Sequence, residues 1–578
     1  MGLLLKCLNI KKEFGDRVIL KDVSFHIEKG ERVAIVGNNG AGKTTMANII
    51  TGALEYDGGS LLWHEDNVKI GYLHQSSYYS QDEFEDMIQG EKDEIQEFFH
   101  TSKELGIEKI DQWNQSRLKN LSGGEKTKLA IARIWAEKPG LLILDEPTNH
   151  MDYEGIKWLI GELDKYNGTI ILISHDRYFM DKTVERIIEI EDGIAHSYKG
   201  NYSFYRDEKR RRYESKLHQY ETQEKYKEKI ESDIKQLKQW SDKGHRESTK
   251  KKIAVENKKG GKEYFRAKAK KKDNQVKSKL KRLEKLDIEG IKKPKEEQKI
   301  TFNFVSESKS SNRIFEAKEI SKGFGDKVLF EKSSFYIRKG EKIGLFGKNG
   351  CGKTTLIKAI LKELYVDEGD LYLSSSAKVA YLSQDVMNLD GDKTVIETFG
   401  IESYERRGML QTLLTNMGFS KSMIHKKVST LSLGERTRVK VAYMIMMENN
   451  VLILDEPTNH LDLHSREMLE KTLEEYEGTI IIVSHDRYLL ERLCDKILIF
   501  HESCIKRCEY SFKEYMDIKE GNSEKQEEKT KEEQLMILEN RIAAVLGELS
   551  LLSPGVEEYE KLDEEFKTLI KRKREFCG

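Results

Sequence analysis

Two stretches of this sequence carry residues suited to holding a polyphosphate. Gly37, Asn38, Asn39, Gly40, Ala41, Gly42, Lys43, Thr44 and Thr45 form the first. Gly347, Lys348, Asn349, Gly350, Cys351, Gly352, Lys353, Thr354 and Thr355 form the second. Each follows a strand-like apolar run, RVAIV or KIGLF, and opens an amphipathic helix, which is the context a phosphate-binding loop requires. The glycines let backbone N–H groups converge on a β-phosphate, and the helix N-terminus adds partial positive charge. Lys43 and Lys353 are then placed to contact β- and γ-phosphates, and the hydroxyls of Thr44 and Thr354 to ligate Mg²⁺. ATP and Mg²⁺ are the expected ligands.

Further carboxylates and histidines suit the same chemistry. The runs LLILD and VLILD end in Asp145 and Asp455, placed to hold Mg²⁺ at the carboxyl edge of a parallel sheet. The next residues, Glu146 and Glu456, suit polarising an attacking water. His175 and His485, each just after another apolar strand, suit contact with a γ-phosphate. Gln75 in GYLHQ and Gln384 in AYLSQ stand where a γ-phosphate and Mg²⁺ sensor is expected. Phe14 and Phe324, in turns ahead of each loop, offer a ring for adenine or simply pack. The segments LSGGE and LSLGE, with Ser122, Gly123, Gly124 and with Ser432, Leu433, Gly434, each open a helix whose N-terminus can receive a phosphate.

Positioning these groups takes an α/β fold, and the sequence specifies it twice. Lys43 and Lys353, Asp145 and Asp455, and His175 and His485 are each 310 residues apart. A constant offset across three separated motifs means two whole domains in tandem. The expected divisions are 1–205 and 301–519 for the ATPase domains, with 206–300 between them and 520–578 after. The segment 206–300 is rich in Lys, Arg, Glu and Gln. Its sparse apolar residues fall at helical spacing over 213–240 and 263–286, predicting a helical hairpin with its loop around Gly244 to Gly261. Residues 520–578 read as two more helices broken near Pro554 and Gly555, with Leu535, Leu538, Ile542, Val545 and Leu549 stepping at three and four.

Charge is distributed unevenly. The chain of 578 residues has a formal net charge of −1, yet residues 243–283 hold 17 Lys/Arg against 4 Asp/Glu. That stretch carries +13 and the remainder −14. An unbalanced cationic arm suits nucleic-acid phosphates, and Arg246, Lys250, Lys251, Lys252, Lys258, Lys259, Arg266, Lys268 and Lys270 are the candidate contacts. Trp240, Tyr264 and Phe265 suit stacking on nucleotides or packing on the opposing helix. Mean hydropathy is −0.66 and no run approaches the ~18 apolar residues of a membrane-spanning helix. The N-terminus has too short an apolar core for a signal peptide. Six scattered cysteines form no disulfide framework, which fits a reducing compartment. The expectation is a cytoplasmic protein with no membrane partner, and not a transporter on its own.

The ordered motifs resemble those of ABC-type ATPase domains: Walker A, Q-loop, signature, Walker B, D-loop and switch histidine, twice over residues 1–205 and 310–515. The fold implied is two tandem P-loop ATPase domains joined by an α-helical hairpin linker, with a C-terminal helical extension. The resemblance implies head-to-tail cassettes, with Lys43 facing Ser432 and Lys353 facing Ser122. Leu433 departs from the pattern, standing where the family has glycine, so the two sites are expected to be unequal.

The linker entry SYKGNYSFYRDEKRRRYE is similar to that of the ABC-F subfamily, whose members act on ribosomes. Gln75 to Ser122 and Gln384 to Ser432 span 47 and 48 positions, so the first cassette lacks the arm insertion of some ABC-F factors. With its enlarged linker loop and helical tail, the chain resembles antibiotic-resistance ribosomal protection proteins of the Vga/Lsa/VmlR/CplR type. That resemblance implies a monomer that docks in its ATP-closed state on the 70S ribosome at the tRNA exit site, near 23S rRNA and the P-site tRNA. It implies resistance to lincosamides, pleuromutilins and streptogramin A, with release on hydrolysis. The alternatives are a general ABC-F factor that rescues stalled ribosomes and the ATPase subunit of a drug exporter. DNA is not an expected partner, because the zinc modules and very long coiled coils of DNA-maintenance ATPases are absent.

Overall fold

Short runs of Val, Ile and Leu such as RVAIV, LLILD and TIILI have no polar alternation, the pattern of strands covered on both faces of a parallel sheet. The computed structural model describes residues 2–74, 102–103, 123–149, 151–249, 259–289, 291, 313–325, 327–383, 389–401, 403–447, 449–459, 461–519, 542, 545 and 566–570. The expected helical pair at 520–578 lies outside the described residues except at 542, 545 and the helical turn 566–570.

The first cassette runs β1 (Leu3–Phe14), β2 (Arg17–Glu28), β3 (Arg32–Val36), β4 (Gly58–Trp63), β5 (Ile70–Leu73), β6 (Leu141–Asp145), β7 (Thr169–Ile173), β8 (Arg186–Glu191) and β9 (Ile194–Lys199). These strands form one sheet in the order β4-β1-β2-β9-β8-β3-β7-β6-β5. The pairs β3/β7, β3/β8, β6/β7 and β5/β6 are parallel, while β1 pairs antiparallel with β2 and β4. Strands β3, β6 and β7 are buried almost throughout, packing with Leu5, Ile27, Met46 and Ile50.

The second cassette repeats the plan with β10 (Arg313–Phe324), β11 (Lys327–Arg338), β12 (Lys342–Phe346), β13 (Glu368–Leu373), β14 (Val379–Leu382), β15 (Val451–Asp455), β16 (Thr479–Val483), β17 (Lys496–His501) and β18 (Cys504–Cys508). Here the strands group as β11-β10-β13 and β14-β15-β16-β12-β17-β18. A side chain bridges the two groups. The fully buried Ser333 hydroxyl of β11 accepts the Ile505 N–H of β18 at 2.9 Å, beside a 2.7 Å bond from the Glu331 N–H to the Ser503 carbonyl.

Residues 199–298 form a separate unit. Its helices span Tyr202–Thr249 and Lys259–Glu289. The first is about 70 Å long at 1.5 Å per residue. Cross-helix ties join Ser241 to Asp273, Asp233 to Lys279, Lys227 to Asp287, and Gln223 to the Ile291 N–H. One partner number falls as the other rises, so the helices are antiparallel. Ile230, Ile234 and Val276 form the seam, with Leu237, Leu283 and Leu286 against it.

Both helices exceed the expected 213–240 and 263–286, and the first begins ahead of position 206. Gly244, Gly260 and Gly261, expected in the loop, lie within helices. One glycine costs only about 1 kcal/mol relative to alanine, and strong helix formers flank each of these.

Candidate functional site

Gly42 closes the first loop in the left-handed region at φ 99°, and the helix Lys43–Ile50 starts directly after it. A Cβ at Gly42 would stand 2.6 Å from Leu20 Cδ2 and 2.8 Å from Ile19 Cγ2, so β2 presses the loop into a tight cradle. Gly352 repeats the turn at φ 108° ahead of the helix Lys353–Ile360. Neither helix has a side-chain cap. Lys43 Nζ donates to the carbonyls of Gly37 and Asn38 at 2.8 and 3.1 Å; Lys353 Nζ donates to those of Gly347 and Lys348 at 2.8 and 3.0 Å. Burial lowers the Lys43 pKa, opposed by Glu146, Asp462 and Asp145.

The expected Mg²⁺ ligands come together in both cassettes. Thr44 Oγ1 donates to Asp145 Oδ2 at 2.8 Å, and Thr354 Oγ1 to Asp455 Oδ2 at 3.1 Å. Each aspartate oxygen also accepts from a tyrosine, Tyr72 or Tyr381, at 3.4 Å. Burial raises both aspartate pKa values.

Next to them, Glu146 and Glu456 each have φ 50°, a conformation that costs a non-glycine residue about 1–3 kcal/mol. Their N–H groups donate at 2.8 Å to the last residues of the neighbouring strands, Ile173 and Val483. Glu146 Oε1 lies 3.6 Å from His175 Nε2, and Glu456 Oε1 lies 3.6 Å from His485 Nε2. Burial pushes the Glu146 pKa up to about 7 against the opposing fields of Arg466 and Lys43, and the Glu456 pKa up to about 8. It pushes His175 well below the ordinary histidine value and His485 down to about 4. Glu146 Oε1, Glu456 Oε1 and the Nδ1 atoms of His175 and His485 are buried without a hydrogen-bond partner among the described residues. Unsatisfied acceptors at the end of a phosphate cradle fit a site that takes a nucleotide, a divalent ion and a water.

The two loops also meet the opposite cassette. Asp462 caps the helix Leu463–Glu474 by accepting the Ser465 N–H with Oδ1 at 2.8 Å, and its Oδ2 accepts the Asn39 N–H at 2.9 Å. Asp152 does the same for the helix Tyr153–Lys165, accepting from Gly155 at 3.0 Å and from the Asn349 N–H at 3.1 Å. Each cleft thus carries one residue from across the interface at its loop. Phe14 and Arg17 line the Lys43 cleft, and Phe324 and Lys327 the Lys353 cleft. Both rings are about half exposed, with Lys12 Nζ 5.5 Å and Lys322 Nζ 5.4 Å from their centroids.

The signature residues are placed less directly. Lys126, on the helix Gly123–Ala136, lines the Lys353 cleft. Among the described lining of the Lys43 cleft, the second cassette contributes Leu461 and Arg466, not Ser432, Leu433 or Gly434. Ser432 is occupied in a capping box with Glu435, each accepting the other's N–H at 3.3 and 2.7 Å. Leu433 is the first residue of the helix Leu433–Met446 and is 37% exposed.

Gln75, Ser122 and Gln384 lie outside the described residues, as do Lys250, Lys251, Lys252 and Lys258. Lys259 and Arg266 are helical positions whose side chains are not described, and the same holds for Tyr264 and Phe265. Arg246, Lys268 and Lys270 are exposed. Trp240 is 61% exposed with Lys272 Nζ 4.5 Å from its ring.

Sequence reasoning missed Asp152 and Asp462, Tyr72 and Tyr381, Arg17 and Lys327, and Arg466. The 310-residue offset also links Asp152 with Asp462 and Arg17 with Lys327, a signal that was available to find them.

A family model described as ABC transporter matches residues 20–149 and 330–459, and a second of the same description matches 188–260. Among the described residues no helix is long and apolar enough to cross a membrane. The chain is 38% identical to "Ribosome protection protein VmlR" of Bacillus subtilis over 98% of its own length and 97% of that protein's. It is 33% identical to "ABC transporter F family member 5" of Arabidopsis thaliana, covering 89% of this chain and 77% of the other. Among solved structures, "RNase-L Inhibitor" aligns with a TM-score of 0.55 at 18% identity, covering 85% of this chain and 87% of that one, a likeness of fold.

Proposed function

The chain belongs to the ABC-F family of ATPases, and from that premise we propose that it protects the bacterial ribosome. With ATP bound and its cassettes closed, it docks at the tRNA exit site in the cytoplasm. The hairpin of residues 199–298 then displaces lincosamides, pleuromutilins or streptogramin A from the peptidyl-transferase centre. The observation that carries this reading is the end-to-end 38% identity with a protein named for ribosome protection. The cationic stretch 243–283 supports it, since +13 on a body of −14 favours rRNA and tRNA phosphates with steep salt dependence.

The chain's own residues account for the ATP cycle. Lys43 and Lys353 leave their loop carbonyls to meet the β- and γ-phosphates. Thr44 with Asp145, and Thr354 with Asp455, would hold Mg²⁺, which supplies charge neutralisation across those phosphates. The left-handed backbone at Glu146 and Glu456 aims each carboxylate beyond the strand end, where it orients a water and accepts its proton. Neutral His175 and His485 can donate one ring N–H towards the γ-phosphate. Asp152 and Asp462 tie each loop to the opposite cassette, so filling a cleft favours the closed arrangement.

The test is the full chain carrying Glu146→Gln and Glu456→Gln. Hydrolysis should fall by about 10²-fold or more. With ATP the protein should pellet with ribosomes at physiological salt. Recovery in the supernatant would overturn ribosome docking, and unchanged turnover would overturn the two glutamates. Expression of the unmodified chain should raise resistance to at least one of the three drug classes; unchanged sensitivity to all would overturn the protective role.

A further inference from the structure

One cation in the Lys43 cleft comes from the second cassette, and the position that matches it in the first cassette is not a cation. Asp462 caps the helix Leu463–Glu474, and Arg466 follows four residues later, on the same helix face. Arg466 is 9% exposed. Its Nε donates to the Leu461 carbonyl at 3.1 Å, and its Nη1 lies 3.3 Å from Asp486 Oδ2, which fixes the guanidinium from two sides. So held, it lines the Lys43 cleft with Glu146 and His175 of the first cassette, and it also borders the Lys353 cleft of its own cassette. Its charge is the foremost attraction opposing burial at Glu146 and also acts on His175.

The position 310 residues earlier is Ile156, 4% exposed on the helix Tyr153–Lys165. Ile156 lines the Lys353 cleft with Glu456 and His485. The foremost charges that act on Glu456 are Asp455, Lys353 and Asp486. At matching positions across the interface the Lys43 cleft thus has a guanidinium and the Lys353 cleft an alkyl chain, while the cation that reaches the Lys353 cleft from across is Lys126.

We propose that Arg466 is a positioning residue for hydrolysis at the Lys43 site, acting across the cassette interface on Glu146 and its water, and that Ile156 supplies no such group to the Lys353 site. This rests on the assignment of Glu146 and Glu456 as the hydrolytic carboxylates. A purely structural role makes the opposite forecast. Arg466 also pairs with Asp486, the cap of the helix Arg487–Leu493 that follows His485, so a lost strut would damage the Lys353 site of its own cassette.

Single-site chains separate the two. Glu456→Gln leaves the Lys43 site to hydrolyse, and Glu146→Gln leaves the Lys353 site. Arg466→Met should lower kcat about tenfold in the Glu456→Gln chain with KM for ATP changed less than about twofold, the signature of an interaction made in the transition state. The loss in the Glu146→Gln chain should be at least about fivefold smaller. Arg466→Lys, which keeps the charge, should restore part of the lost kcat and carries the comparison if the Met variant gives no cooperative melt. Equal losses in both chains, or a rise in KM alone, would overturn the proposal. Hydrolysis persisting in the chain with both glutamates replaced would instead overturn the carboxylate assignment beneath it.

Discussion

The Lys43 and Lys353 clefts are copies in what each cassette supplies for itself and differ in what it receives from its neighbour. Within a cassette, the loop lysine, the threonine–aspartate pair and the Glu–His separation of 3.6 Å agree site for site. Across the interface, Arg466 and Glu470 stand where the first cassette has Ile156 and Ile160. Arg177 is buried against Glu470 and Asp486 of the second cassette, with its guanidinium 4.9 Å from the Tyr488 ring. Its counterpart Arg487 makes the matching ring contact, 4.8 Å from Tyr178 of the first cassette, but its ion pair, at 2.6 Å, is with Glu491 on its own helix. Asp486, although buried, is held below the ordinary carboxylate range by Arg177 and Arg466, whereas burial pushes Asp176 up to about 6. Duplication copied the chemistry of phosphate binding, and divergence at the interface gave each site its own surroundings.

The sharpest way to break this comparison is to remove one side of the buried pair. Glu470→Ala leaves Arg177 buried beside Asp486 alone and should cost about 3–5 kcal/mol in thermal or denaturant unfolding. Arg487→Ala, at the half-buried counterpart pair, should cost within about 1 kcal/mol. Equal losses would mean that the interface is symmetric in energy despite its sequence.

An intermediate effect is expected at the shared aspartates. Asp462→Ala and Asp152→Ala should each cost about 1 kcal/mol as lost helix caps. Each should also weaken ATP binding at the opposite loop, read by nucleotide titration of single-site chains; weakening in the same cassette would reverse the assignment. The smallest effect is expected at Leu433→Gly, with under about 1 kcal/mol lost from the helix start. Turnover at the Lys43 site should rise about twofold, or about 0.4 kcal/mol of barrier. No change in the Glu456→Gln chain would show that this side chain does not distinguish the sites.

Residues whose role depends on near neighbours in sequence were legible without coordinates. The loops, Asp145 and Glu146, and His175 announce themselves because strand, turn and helix fix their directions locally, and the repeat doubled the signal. Arg466 against Ile156 was visible as a mismatch, but its meaning depends on which surfaces of the two cassettes face each other. Ser432 was expected at the Lys43 site, yet its capping box with Glu435 ties its hydroxyl to its own helix. The linker helices were legible in kind and not in extent. Glycines read as breakers, while the ties from Ser241 to Asp273 and from Asp233 to Lys279 hold both helices beyond the expected ends.

Asp152 and Asp462 each use one oxygen at home and the other abroad. A cassette expressed alone would keep its helix cap but lose the carboxylate that meets its own nucleotide loop. Cutting the gene in two would therefore part each nucleotide loop from the carboxylate that meets it.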